Sequence, residues 1–477
     1  MPNHNHKNEN PGSPALIMLL TVALLIGASF VPWEKITAGR VKGFSLWSDL
    51  VDAGTDSNEE QFNDAAPIDP KLAELMAEET TPAERSSTET TDTIVVDTLR
   101  AIEEPRPLYV VRRDTTTGIV SIEDYSADSN GLERLRLALT YRGHGRIAVV
   151  GDSYIEGDIF TQDLRSKLQS DLGGSGVGYM GLHSDFPGFR RSVRQSGSGW
   201  RVHEIGKKGS VTDYEPLAEH YYTPEAEATA TYKATDKVAN ASSWNVSRLL
   251  LIAPNGGTVS VTTDLGTKEF HLDAVRDSVQ SIDVIGATAR ATFKTSEPSI
   301  VALGAWLESS GGIGVDCMSS RGFSGLTLEE INPLLSQQMS KYIDYQLIVL
   351  EFGINAMSPG QKNFNVYRRA IVRVVEHLRQ CYPGADFLIM GIGDRGEKRG
   401  GEVRSMASVA YMIDAQRHAA AEAGCMFWDT REAMGGEDAI VEWTRQGLTN
   451  KDYIHMTHKG GERLATEFYN ALMEKLR

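Results

Sequence analysis

The chain has 477 residues, 41% of them hydrophobic, with three cysteines and a formal net charge of -16. That length suits two or three domains, and three cysteines are too few for a disulfide scaffold and match no zinc spacing. The charge is concentrated in residues 51–104, which hold 15 acidic and 3 basic side chains. The rest is close to neutral and lacks the basic face of a nucleic-acid-binding protein, so an uncharged substrate such as a glycan fits better.

Residues 1–14 form a polar N-terminal tail. The uncharged run ALIMLLTVALLIGASFV at 15–31, followed by Pro32 and Trp33, is just long enough to span a bilayer, and Trp33 suits a membrane interface. Residues 15–33 are therefore expected to be a signal anchor that exports the body. Gly27-Ala28-Ser29 offers the alternative of a cleaved signal peptide. Residues 34–105 are rich in Glu, Asp, Thr, Ser and Ala, and read as a disordered acidic linker that cannot bury enough apolar surface to offset ordering.

Folded structure is expected from about residue 106. The run RIAVV at 146–150 reads as a buried strand that ends in Gly151-Asp152-Ser153, and DIFTQDLRSKLQSDL at 158–172 reads as a helix. Between 191 and 310 the pattern changes to short period-two runs such as ATATYKA, TVSVTTDL and ARATFKT, broken by turns such as Pro254-Asn255-Gly256-Gly257. These predict an inserted β-sandwich or jelly roll. From 311 onward strands (YQLIVLEFG, DFLIMGIGD, CMFWDT) alternate with long helices, which predicts a parallel sheet covered on both faces. One α/β domain, 106–190 plus 311–477, is thus interrupted by a β module at 191–310.

A serine at the carboxyl end of a parallel strand has two readings. It can cap the next helix, or it can be a nucleophile where α/β proteins place their chemistry. The second needs a base, a group that orients the base, and donors for an oxyanion. His455 is the candidate base. Asp452, three residues earlier, can hold its ring. His458 is an alternative base without such a partner, or a residue at a helix start. Asn355 and Gly353 follow an apolar strand, and Asn355 offers a side-chain N–H for an oxyanion hole. Gly325, with Gly322 as runner-up, offers a backbone N–H. Each could also be an ordinary turn residue.

Taken in chain order, Gly151-Asp152-Ser153, Ser324-Gly325, Gly353-x-Asn355 and Asp452-x-x-His455 resemble the blocks of the GDSL/SGNH hydrolase family. The stretch GDSYIEGDIFTQDLRSKLQSDLGGSGVGY is similar to the opening of peptidoglycan O-acetylesterases and related exported proteins of Gram-negative bacteria, which carry a carbohydrate-binding-like β domain after the first block. The resemblance implies a flavodoxin-like three-layer domain, with Ser153 as nucleophile, His455 as base and Asp452 as its partner. The hole would comprise the N–H groups of Ser153 and Gly325 and the side chain of Asn355. Ala356 departs from the aspartate many members carry there. The implied activity is a serine esterase that needs no metal or organic cofactor. Its substrate would be an acetylated cell-envelope polysaccharide such as peptidoglycan, and the enzyme would be periplasmic and held to the inner membrane by 15–33. An O-acetyltransferase working with a membrane acyltransferase, or a non-catalytic glycan-binding protein, are the alternatives. Trp200, Trp244 and Trp306 are candidates for stacking on sugar rings, with core positions as the competing reading.

Overall fold

The computed structural model describes residues 69–80 and 110–477. The segment 15–33 lies outside them, and among the described residues no helix is long and apolar enough to cross a membrane.

The apolar runs read from the sequence form the centre of a six-stranded sheet. Its order is Glu123–Asp124, Met426–Trp428, Asp386–Met390, Leu347–Glu351, His144–Gly151, Gly312–Ser319. The last five are parallel, and the first is a short antiparallel edge strand. Numbered along the chain, the parallel strands lie in the order 2-1-3-4-5, the flavodoxin-like arrangement. Side chains alternate between two cores, as a period of two requires. Ala148, Val150, Ile348 and Leu350 pack toward helices Asn365–Cys381 and Ser408–Ala423. Ile147, Val149, Leu347 and Val349 pack toward helices Thr161–Leu172 and His458–Leu476. Both faces are covered, which is why these strands are almost uniformly apolar.

The β insertion differs from expectation in two ways. It begins with strand Gly176–Met180, upstream of residue 191, because that strand pairs with Val301–Glu308 at the insertion's other end. Its nine strands also join in one hydrogen-bonded network. Strand His220–Ala234 is long enough to pair with three neighbours, so the network does not divide into the two separate sheets of a simple sandwich. Buried Asp316 fastens module to domain: its carboxylate accepts the Trp306 indole N–H at 2.8 Å, the Tyr345 hydroxyl at 2.6 Å and the Tyr179 N–H at 2.9 Å. Trp200, Trp244 and Trp306 are all buried, so none is a sugar platform. Cys317, Cys381 and Cys425 are free and buried.

The linker expectation needs a correction as well. Residues Pro70–Thr80 form a helix. Asp69 stands at its N-terminus, accepting the Lys71 N–H at 2.9 Å, and Pro70 is its first residue, where a missing N–H costs nothing. Leu72 is 1% exposed within the core, with Leu75 and Met76 packed beside it. The spacing 72, 75, 76 is a one-sided apolar stripe. Averaged over 34–105, that short signal disappears beneath the surrounding acidic residues.

Candidate active site

Strands 1, 2 and 3 of the parallel sheet meet at the point where strand order reverses, which is where such sheets bind ligands. Gly151 ends the first. A Cβ there would lie 2.6 Å from the Glu351 carbonyl oxygen, so only glycine lets the two strand ends come this close. Asp152 then turns the chain, its Oδ1 accepting the Tyr154 N–H at 2.9 Å. The next α-helix starts at Thr161 and its N-cap is Phe160, so Ser153 is not a helix cap.

Ser153 Oγ lies 3.0 Å from His455 Nε2, and His455 Nδ1 lies 2.8 Å from Asp452 Oδ2. Asp452 Oδ1 accepts the N–H groups of Ile454 and His455 at 2.9 and 3.0 Å. The Asn450 N–H closes the loop onto the His455 carbonyl at 2.8 Å. The three-residue spacing thus makes a tight turn that holds both partners of the His455–Asp452 hydrogen bond. The hydrogen bond that His455 donates to Asp452 raises the His455 pKa above its ordinary value, against an opposing effect of burial. Burial pushes Asp452 up, but its hydrogen bonds from His455 and Ile454 outweigh this and leave it lowered. Gly461, in the first turn of the last helix, packs against the Ile159 backbone, where a Cβ would have no room beside the Ile159 carbonyl oxygen. The paired glycines at 460 and 461 are therefore a close backbone approach, a signal left unused in the sequence. His458 is the first residue of the last helix and packs its ring 5.9 Å from Phe189. It stands 3.3 Å from Gln162 rather than beside Ser153.

Gly325 has φ +86, and a Cβ would meet the Phe352 ring at 2.7 Å, so both backbone and space demand glycine. Gly322 faces open space. The backbone N–H groups of Ser153 and Gly325 donate to no partner among the described residues. Asn355 is engaged: its amide nitrogen donates to Asp152 Oδ2 and to the Phe323 carbonyl, both at 2.9 Å. Ala356 is fully buried in the apolar core, a place where an aspartate would be costly.

Sequence reasoning passed over Asp152 and Glu351. Both are buried, and burial raises both carboxyl pKa values, with the Asp152 carboxyl adding to the rise at Glu351. Asp152 ties the serine turn to Asn355. The signal was the aspartate of Gly-Asp-Ser itself, a charged residue at the end of a buried strand. A cavity of about 190 Å³ opens beside this site, walled by Glu156, Phe186, Phe189, Gln195, His220 and Ser319. Phe186 and Phe189 are 62% and 42% exposed. Burial lowers His220 to about 4, so it is a neutral wall residue. Among the described residues no group of three or more His, Cys, Asp or Glu is gathered as metal ligands.

Residues 286–463 match the model of the GDSL-like Lipase/Acylhydrolase family. The match begins inside the β insertion and so includes Gly325, Asn355, Asp452 and His455. That stretch is similar to GDSL-like lipases and acylhydrolases, and the fold of the whole domain is similar to theirs as well, although Ser153 lies outside the matched residues. A solved peptidoglycan O-acetylesterase is similar over 75% of this chain and 99% of its own, with 24% identity and a TM-score of 0.61. A family two carbohydrate esterase from Cellvibrio japonicus (10% identity, 60% of this chain and 98% of that one, TM-score 0.26) is a looser match. So is the acetyl xylan esterase AlAXEase (14% identity, 34% and 81%, TM-score 0.26). No curated protein matches the chain in sequence.

Proposed function

We propose that the chain removes O-acetyl groups from a cell-envelope polysaccharide such as peptidoglycan, through an acetyl-Ser153 intermediate. The observation that carries this is the continuous path from Ser153 Oγ to His455 at 3.0 Å and on to Asp452 at 2.8 Å. Ser153 Oγ attacks the acetyl carbonyl while His455 Nε2 takes its proton, and Asp452 holds the ring and stabilises the imidazolium. The carbonyl oxygen becomes an oxyanion facing the N–H groups of Ser153 and Gly325. Asn355 joins them by releasing one of its two present acceptors. The bond to the sugar oxygen then breaks, and His455 returns the proton to that oxygen as the alcohol leaves. Water, deprotonated by His455, attacks the acetyl-serine in turn and frees acetate and the hydroxyl.

A glycan ester is favoured by the near-neutral body and by the exposed rings of Phe186 and Phe189 on the rim of the adjoining cavity. Aromatic faces of this kind suit the apolar face of a sugar ring. In this reading the β insertion helps to hold the polysaccharide. Residues 15–33 anchor the chain to the inner membrane, with the esterase in the periplasm.

The test is acetate release from O-acetylated peptidoglycan and from p-nitrophenyl acetate by the full-length chain, with chito-oligosaccharide present as an acceptor. Free acetate is expected, falling by about 10³-fold or more in Ser153→Ala. Acetylated oligosaccharide with little free acetate would contradict hydrolysis and point to a transferase. Turnover that survives Ser153→Ala would contradict the triad.

A further inference from the structure

Asp69 lies far ahead of the α/β domain in sequence, yet it touches two of the three segments that carry the oxyanion donors. It is 4% exposed. Its Oδ2 accepts the N–H of Ser324 at 2.7 Å, one residue before Gly325. Its own N–H donates to the Asn355 carbonyl at 3.3 Å. The helix behind it is fixed by Leu72 in the core and by an ion pair between Lys71 and Glu330.

We propose that Asp69 is a positioning residue for the oxyanion hole, so that a segment of the N-terminal tract completes the active site. This rests on the reading of Ser153 as nucleophile and Gly325 N–H as an oxyanion donor. The direction of the Gly325 N–H follows the peptide plane between Ser324 and Gly325. That plane is held by the Phe352 ring against Gly325 and by the Tyr367 hydroxyl on the Ser324 carbonyl at 3.2 Å, and Asp69 holds the adjoining Phe323–Ser324 plane, hinged to it at the Ser324 Cα, through the Ser324 N–H. Without Asp69, the buried Ser324 N–H loses its partner, and the loop must shift to satisfy it. The same residue steadies the Asn355 backbone, so two donors depend on it. A competing effect acts in the opposite direction: a carboxylate near the hole repels the developing oxyanion. Asparagine separates the two effects, because it keeps an acceptor oxygen and loses the charge.

The experiment uses full-length Asp69→Ala, Asp69→Asn and Leu72→Ala beside Ser153→Ala. It measures kcat and KM on p-nitrophenyl acetate per titrated active site, and inhibition by phenylboronic acid, which forms a tetrahedral serine adduct and reports on the hole. Asp69→Ala is expected to lower kcat about 10- to 100-fold with KM nearly unchanged, and to weaken boronate binding by a similar factor. Asp69→Asn should stay within about threefold of wild type, since the hydrogen-bond acceptor remains. Leu72→Ala, which loosens the helix but removes no hydrogen bond, should lower kcat in the same direction.

A kcat per active site that is unchanged or raised in Asp69→Ala overturns the proposal. A raised value in both Asp69 variants would show that the carboxylate opposes the oxyanion. A lower melting temperature with unchanged kcat and boronate affinity would show a purely structural role and overturn it equally. If Ser153→Ala turns over like wild type, the functional reading fails first, and this inference fails with it.

Discussion

Asp452 acts on His455 in two ways that can be told apart. Its Oδ1 organises the loop through backbone N–H groups, and its Oδ2 holds Nδ1 and raises the imidazole pKa. A base must be neutral to accept the serine proton, so kcat/KM should rise with pH through a value above the ordinary histidine range. In Asp452→Ala the favourable partner is gone and burial remains, so that acid limb should move to lower pH while the plateau drops. A pH–rate profile with p-nitrophenyl acetate measures this, and an acid limb that stays in place would mean another group governs it. Ser153, Gly325, Asn355, Asp452 and His455 could be chosen from the sequence because each follows a strand or forms a local turn. What could not be chosen was which side chains share the ground beneath them. The Asp152–Asn355 bond joins residues that only the sheet brings together, and Asp69 reaches the Ser324 N–H across most of the chain.

The ends of strands His144–Gly151 and Leu347–Glu351 put two carboxyls, Asp152 and Glu351, into one buried space. Both have folded-state pKa values above their unfolded ones. Such groups bind more protons in the folded state, so their contribution is most favourable at low pH. It is lost as pH rises through the folded pKa, beginning above the ordinary carboxylate range of about 4. The melting temperature of wild type should therefore fall more steeply between mildly acidic and neutral pH than that of Asp152→Asn. Equal slopes would contradict the buried-pair account. At the scale of elements, period and strand-end glycines revealed the parallel strands and their helices. The three tryptophans were less legible, because core and sugar-stacking tryptophans look alike in sequence. Burial separated them, and it moved attention to Phe186 and Phe189. The helix Pro70–Thr80 was written in Asp69-Pro70 and the stripe 72, 75, 76, but its acidic surroundings masked a segment of only 11 residues.

The described residues form an α/β domain that tolerates a nine-stranded interruption between its first and second parallel strands. The insertion leaves and returns at the amino-terminal end of the parallel strands, where Gly173, Gly312 and Gly143 meet, away from the nucleophile turn. Strand Gly176–Met180 pairs with Val301–Glu308, which runs within a few residues into Gly312–Ser319. The domain is therefore rejoined in register, and its residues still meet at the switch point. That the chain was split could be read from the change of period. Where it was split could not, because the first inserted strand is the glycine-rich GVGYM, whose partner lies at the far end of the insertion.

The central claim is that this assembled site forms a covalent acetyl-enzyme on Ser153. The most direct measurement is intact-protein and peptide mass spectrometry of the full-length chain, quenched in acid during turnover of p-nitrophenyl acetate. The account predicts a single added acetyl group, located on the peptide that contains Ser153 and absent from Ser153→Ala. Turnover without such an adduct even in rapid quench, or an acetyl group on a different residue, would contradict it.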